Sequence, residues 1–256
     1  MQMYSAERRQ EILTLLEQKS RVSVDQLAGH FGVSRSSIRR DLSQLHEDGL
    51  LTRTYGGAVA LNGVCAETPF DERKVANFAE KDRIGKAAAA LVQEEETIFV
   101  DGGTTTECML PYLLEKRITV VTYGLNIINR LSCSDTVTVI AIGGTLHTYS
   151  LTFSGVLALN SIQAYNIRFD KAFIAASGVS VTGGITNASL EEVPIKRKAI
   201  DVGQQTILLA DSSKLGVIRA GFIAALDEAQ RLITDIKAAP AEVAAICALG
   251  LAVDLV

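Results

Sequence analysis

Two sets of residues in this 256-residue chain could do chemistry. Arg35, Ser36, Ser37, Arg39 and Arg40 crowd one short stretch, and Arg53 and Tyr55 follow it. Guanidinium and hydroxyl groups donate to phosphate oxygens and to base edges, so such a surface suits double-stranded DNA. The second set begins at Asp101-Gly102-Gly103-Thr104-Thr105-Thr106, where two glycines and three hydroxyls form a run of donors fit to cradle a phosphate. It lacks the terminal lysine of a Walker loop and is no G-x-G-x-x-G fingerprint. Asn126, Gly143, Gly144, Glu192, Lys196, Asp211 and Lys214 recur downstream in similar Gly- and Ser-rich settings. Carboxylates there could accept from sugar hydroxyls, and lysines could complement phosphate charge.

The elements that must hold these residues follow from periodicity. Ser23 and Gln26 form an S-x-x-Q capping box, and Val24, Leu27, Ala28 and Phe31 give the helix after it an apolar face. Gly32 stops that helix. Ser34 caps the next one, whose Ile38, Leu42 and Leu45 share a buried stripe and leave Ser36, Ser37 and Arg40 pointing away. A helix over Ser5–Lys19 with Ile12, Leu15 and Leu16 completes the core, and residues 50–58 read as a strand pair turning at Gly56-Gly57. The sum is a winged helix-turn-helix. Spacing alone also fits an ordinary helix pair with solvated arginines. Residues 1–60 carry eight Lys and Arg against seven Asp and Glu, so DNA binding requires a dimer to sum enough phosphate contacts.

Residues 59–79, with Asn62-Gly63, Thr68-Pro69 and the charged run Asp71-Glu72-Arg73-Lys74, read as a linker. A helix begins near Glu80. Beyond it, β-branched runs at 97–100, 118–122, 137–142, 171–175 and 206–210 alternate with helices expected at 107–114 and 125–131. That rhythm predicts a mostly parallel sheet covered on both faces, with any ligand outside the carboxyl ends of its strands. Those ends include residues 101–106, Asn126, Gly143-Gly144 and the Asp211 to Lys214 stretch; an ordinary strand-to-helix turn with a threonine cap remains the alternative for 101–106. With 48% hydrophobic and 21% charged residues, the chain can bury a sizeable core. It shows neither a membrane-spanning run nor a signal-peptide core, so it is expected in the cytoplasm. Its four cysteines lack C-x-x-C spacing and its three histidines share no ligand spacing with them, so no disulfide, metal or cofactor is expected.

Glu7-Arg8-Arg9-Gln10-Glu11-Ile12-Leu13, Val33-Ser34, Ser37-Ile38-Arg39-Arg40-Asp41-Leu42 and Arg53-Thr54-Tyr55-Gly56-Gly57-Ala58 together resemble the DNA-binding domain of the DeoR family of bacterial sugar-metabolism regulators. The likeness covers nearly the whole chain. Residues 101–106, Gly183-Gly184-Ile185-Thr186 with Glu191-Glu192 and Lys196, and Asp211-Ser212-Ser213-Lys214 resemble its effector domain, similar in fold to ribose-5-phosphate isomerase and glucosamine-6-phosphate deaminase. The resemblance implies a DNA-binding domain over residues 1–58, a linker over 59–79 and an α/β effector domain over 80–256. It further implies a homodimeric or homotetrameric repressor of a carbohydrate catabolism operon, released from its operator by a phosphorylated sugar. A sugar-phosphate isomerase with an attached DNA-binding domain is the competing reading, but nothing in the sequence requires turnover. Tyr55 stands where the family often has His, and Tyr123-Gly124 where it usually has Asn followed by Ser or Asp. An aromatic ring at 123 is expected to alter the pocket.

Overall fold

In the computed structural model of the chain, the capping box at Ser23 and Gln26 is present: Gln26 N donates to Ser23 Oγ at 3.1 Å, and Ser23 N to Gln26 Oε1 at 3.0 Å. The described residues are 5–19, 21–47, 50–54, 56–60, 70–164 and 166–256. They fall into two compact units, Met1–Glu67 and Thr68–Val256.

The first unit runs α1 (Ser5–Lys19), β1 (Arg21–Ser23), α2 (Val24–Phe31), α3 (Arg35–Glu47), β2 (Leu51–Thr54) and β3 (Gly57–Ala60). Gly32 ends α2 in the left-handed region at φ 62°, as a residue without Cβ readily can. Ile12, Leu16, Leu27, Ile38, Leu42 and Leu45 meet in one core. Arg8 and Asp41 are buried beside it and paired at 2.7 Å, tying α1 to α3. The wing is one strand larger than the sequence suggested, because β1 joins the hairpin in the antiparallel order β1-β3-β2.

The second unit runs α4 (Phe70–Val75), α5 (Phe78–Ala90), β4 (Thr97–Val100), α6 (Thr104–Glu107), β5 (Ile118–Thr122), α7 (Leu125–Leu131), β6 (Val137–Ala141), β7 (Thr145–His147), β8 (Thr152–Ser154), α8 (Val156–Ala164) and β9 (Phe169–Ala175). Then come β10 (Gly178–Ser180), β11 (Gly184–Asn187), α9 (Val193–Val202), β12 (Gly203–Leu209), β13 (Gly221–Ala224), β14 (Arg231–Thr234), α10 (Pro240–Cys247) and β15 (Ala252–Leu255). Seven of these strands form an all-parallel sheet in the order β15-β14-β12-β9-β4-β5-β6. Alternate residues of β4 feed two cores, Phe99 into one and Ile98 and Val100 into the other, so both faces of the sheet are covered. Among the described residues no helix is long and apolar enough to cross a membrane.

Two expectations need correction. Residues 59–60 belong to β3, and 70–79 hold α4 and the start of α5, so the anticipated linker overlaps structured elements at both ends, while 61–69 lie outside the described residues. One helical turn is too short to show periodicity, yet Phe70 anchors α4 with 4% exposure. The helix expected at 107–114 is instead α6, which ends at Glu107, and a separate 3-10 turn over Leu110–Tyr112. Pro111 within that turn has no N–H to continue an α-helix.

The strand order reverses between β4 and β9: the chain steps outward to β5 and β6, then returns to β9 and proceeds to β12, β14 and β15. α5 crosses this region closely because Gly85 lies on the Cys108 backbone, where an added Cβ would stand 2.4 Å from the carbonyl carbon and 2.6 Å from its oxygen. Gly85→Ala should therefore force α5 away from α6 and cost about 1–3 kcal/mol of stability. Chemical denaturation reads this directly, and an unchanged midpoint would mean that the contact yields without cost.

Candidate functional site

At the reversal between β4 and β9, the loops leaving β4, β9 and β12 surround an open pocket, the place where sheets of this kind bind ligands. Of the residues singled out in the sequence, Gly103, Thr104, Thr105, Glu192, Lys196, Asp211 and Lys214 line it. Thr104 and Thr105 sit in the first turn of α6 and are largely buried. That helix is only four residues long, so positive charge for an anion must come chiefly from side chains.

Beneath the pocket lies a closed polar network. Asp101 is fully buried, and its Oδ2 accepts from Ala175 N at 2.8 Å and Lys196 Nζ at 2.8 Å, while the Tyr123 hydroxyl donates to Oδ1. Lys196 Nζ also donates to Ala175 O at 2.9 Å and Asn187 Oδ1 at 3.2 Å. Glu192 accepts from Thr152 Oγ1 at 3.0 Å and Asn187 Nδ2 at 3.2 Å, with Lys196 Nζ 3.5 Å away. Lys196, expected to face a phosphate, thus spends its protons on protein acceptors.

Other residues are placed differently from expectation. Tyr123 is fully buried and stacks on Phe99 at 6.0 Å, so its ring packs in the core and does not line the pocket. Thr106 turns inward, its hydroxyl donating to Asp101 O at 2.6 Å and Gly103 O at 2.8 Å. Asn126 lies outside the pocket lining and donates to Glu107 at 3.0 Å. Gly143 and Gly144 are also outside it, because they follow β6, the edge strand two places from β4. Gly103 makes room for protein as well as any ligand: an added Cβ would lie 2.6 Å from Ala175 Cβ.

Sequence reasoning missed the contribution of α4 and α5. Glu72, Arg73, Asn77 and Lys81 all line the pocket. Lys81 is 3% exposed, and burial lowers its pKa below the ordinary lysine value, with Asp211 opposing that shift and Lys214 and Arg73 adding to it. The signal was available: Lys81, Ile84, Gly85 and Ala88 fall at i, i+3, i+4 and i+7, which puts a lysine on the buried stripe. Nearby Cys108 is held as a neutral thiol, its pKa pushed up to about 11 by burial and then by Glu107 and Asp82. Among the described residues, no cluster of His, Cys, Asp or Glu is arranged to hold a metal ion.

In the first unit, Ser36, Arg39 and Arg40 are exposed on α3, Ser36 and Arg40 on the side away from Ile38 and Arg39 on the flank of its buried stripe. Arg35 pairs with Asp25 at 2.7 Å, and Ser37 N and Oγ both engage the cap at Ser34. Arg53 sits on β2, and Tyr55 lies outside the described residues.

The closed network has a mechanical consequence. Lys196→Met would strand two buried carboxylates, so it should cost about 3–5 kcal/mol of folding stability in the absence of any ligand. A thermal midpoint close to that of the parent would show that the network is not structural.

Family models match on both units: the DeoR-like helix-turn-helix domain over residues 8–64 and the DeoR C terminal sensor domain over residues 76–236. The chain is 36% identical over 244 residues to the Uncharacterized HTH-type transcriptional regulator YulB of Bacillus subtilis (strain 168), covering 95% of this chain and 94% of that protein. It is 33% identical to the Glycerol-3-phosphate regulon repressor of Escherichia coli (strain K12), covering 88% and 90% respectively. Among solved structures, ribose 5-phosphate isomerase A from Methanocaldococcus jannaschii aligns over 54% of this chain and 55% of its own, with a TM-score of 0.40 and 15% identity. With a DNA-reading unit and a sensor unit both matched, and with relatives along nearly its whole length that are transcriptional regulators, the chain belongs to the DeoR family of helix-turn-helix transcriptional regulators.

Proposed function

We propose that this regulator is a repressor of a carbohydrate catabolism operon, that it grips its operator as a homodimer or homotetramer, and that a phosphorylated sugar bound at the β4–β9 reversal releases it. The observation that carries the proposal is the pocket's composition: Lys81, Lys214 and Arg73 supply positive charge beside the hydroxyls of Thr104 and Thr105, while the neighbouring carboxylates suit a polyol. A relative named as a repressor of a glycerol-3-phosphate regulon supports both the direction of control and the phosphate. Asp101, Glu192 and Lys196 build the wall of this site, and Gly103, Thr104, Thr105, Asp211 and Lys214 meet the ligand. Thr106 and Asn126 support α6 from behind, and Gly143 and Gly144 lie beyond reach.

The route of control follows from chain order. α4 is the first described element after the DNA-reading unit, and it lines the pocket. Lys74 pairs with Glu107 of α6 at 2.7 Å, and Lys81 donates to Arg73 O. A ligand that engages this corner acts on the segment that leads back to α3. To shift the equilibrium it must bind the two conformations unequally.

Two measurements test the reading. On the DNA side, Arg40→Ala should leave the fold intact and weaken binding to DNA from upstream of the regulated genes by about 1–3 kcal/mol if Arg40 reads a base. A phosphate contact would instead weaken all sequences alike and flatten the salt dependence. Unchanged affinity in both the Arg39→Ala and Arg40→Ala variants would remove α3 from the interface. On the sensor side, a thermal-shift panel of sugars and their phosphates identifies the ligand class, and Lys214→Met should weaken the best phosphorylated compound by about 2 kcal/mol with little change in the unliganded midpoint. Equal affinity for a sugar and its phosphate would sink the phosphate assignment.

A further inference from the structure

The buried acids around the pocket differ in how completely they are satisfied. Asp101 and Glu192 each have protein donors on both carboxylate oxygens. Asp211, at the carboxyl end of β12, has donors on one only. Its Oδ1 accepts from Asn77 Nδ2 at 3.0 Å, from Ser213 N at 3.1 Å and from the Ser213 hydroxyl. Its Oδ2 is buried, and among the described residues no donor reaches it, although the residue is 1% exposed and lines the pocket. A buried carboxylate oxygen without a donor carries a desolvation cost that a bound donor removes.

The surroundings restrict that donor. The dianionic phosphate group of an ester has no proton to give, and any phosphate dianion would be repelled by the carboxylate. An ammonium would stand among Lys81, Lys214 and Arg73. A hydroxyl meets neither objection. The carboxylate is also fixed in orientation: Asn77, which holds Oδ1, occupies the left-handed region at φ 53° at the junction of α4 and α5, a conformation that asparagine tolerates better than most residues. Oδ2 is therefore held as an acceptor and is not free to rotate away.

Resting on the sugar-phosphate reading of this pocket, we propose that Asp211 is its specificity-determining residue: Oδ2 accepts a hydrogen bond from a hydroxyl on the carbon skeleton of the effector, so that the site answers to a hydroxylated phosphoester and disregards inorganic phosphate. The lysines supply attraction for any phosphate. Asp211 supplies discrimination, since an occupant without a hydroxyl at this position leaves the oxygen buried and unpaired.

Calorimetry on the full-length protein tests this with glycerol 3-phosphate, ribose 5-phosphate, glucose 6-phosphate and fructose 1-phosphate, the hydroxyl-free ester n-propyl phosphate, inorganic phosphate, and the unphosphorylated polyols. The wild type should bind at least one hydroxylated ester about tenfold or more tighter than n-propyl phosphate. In Asp211→Asn, with the charge removed and the acceptor altered, that gap should shrink to about threefold or less, and inorganic phosphate should bind at least as well as to the wild type. A variant that keeps the full preference overturns the proposal. So does a wild type in which no hydroxylated ester outbinds n-propyl phosphate, a comparison that stands even if the variant does not fold. Failure of the underlying reading looks different: free polyols would bind as tightly as their phosphates, while the Asp211→Asn variant would still lose affinity for them.

Discussion

The ion pair between Lys196 and Asp101 holds the sensor unit's site together. Its two side chains are 3% and 0% exposed, on α9 and at the carboxyl end of β4. Removing both charges from water is expensive, and a bare pair seldom recovers that cost. Here the remaining valences are filled by Ala175 at the end of β9, by Asn187 at the end of β11, and by Glu192 at the start of α9. β4 is thereby registered to β9, β11 and α9, which follow it by about 70 residues or more, at the point where the sheet's order reverses. The tyrosine at position 123 joins this arrangement through its hydroxyl, from within the core. A phenol in place of the family's usual amide thus changes the support of Asp101 and leaves the lining of the pocket to others.

Satisfying these groups internally divides the labour of the pocket. A lysine with acceptors for its protons and a glutamate with donors on both oxygens have little left to offer a ligand, whatever their charge suggests. On the proposed reading, recognition would pass to other residues that line the pocket: the hydroxyls of the first α6 turn, Lys214 after β12, and Lys81 on α5. Lys81 is depressed in pKa by burial, so a bound anion would stabilise its charged form as well as being held by it.

Much of this was legible in the sequence, for identifiable reasons. α2 and α3 announce themselves because caps, glycine stop and apolar stripe agree, and β4, β5, β6, β9 and β12 because runs of β-branched residues alternate with polar turns. β14 and β15 did not stand out, being four residues each and, for β15, partly or fully exposed throughout. The loops at the strand ends could be named from the sheet rule alone. Which of their residues face a ligand could not, because Lys196 and Lys214 look alike until the distances to Asp101 and Asn187 are known. Lys81 is different: its spacing from Ile84, Gly85 and Ala88 puts it on the buried stripe of α5, but which part of the sheet that stripe covers is seen only in the packing of Gly85 against Cys108.

In the proposed mechanism, that close approach bears on control as well as on binding. The sheet and α9 are locked by buried hydrogen bonds, so a ligand can change their arrangement only by overcoming several at once. The α4–α5 corner is uneven: α5 is buried against the sheet through Ile84, Ala88 and Ala89, whereas most of α4 is exposed and its Lys74–Glu107 pair has Lys74 half exposed. Local stability in proteins is uneven, and elements that respond to ligands are drawn from its lower end. In the proposed mechanism, the ligand would meet one wall fixed by buried hydrogen bonds and another that includes the exposed α4, which leads in sequence toward the DNA-reading unit, and only contacts that differ between the two states would shift the equilibrium.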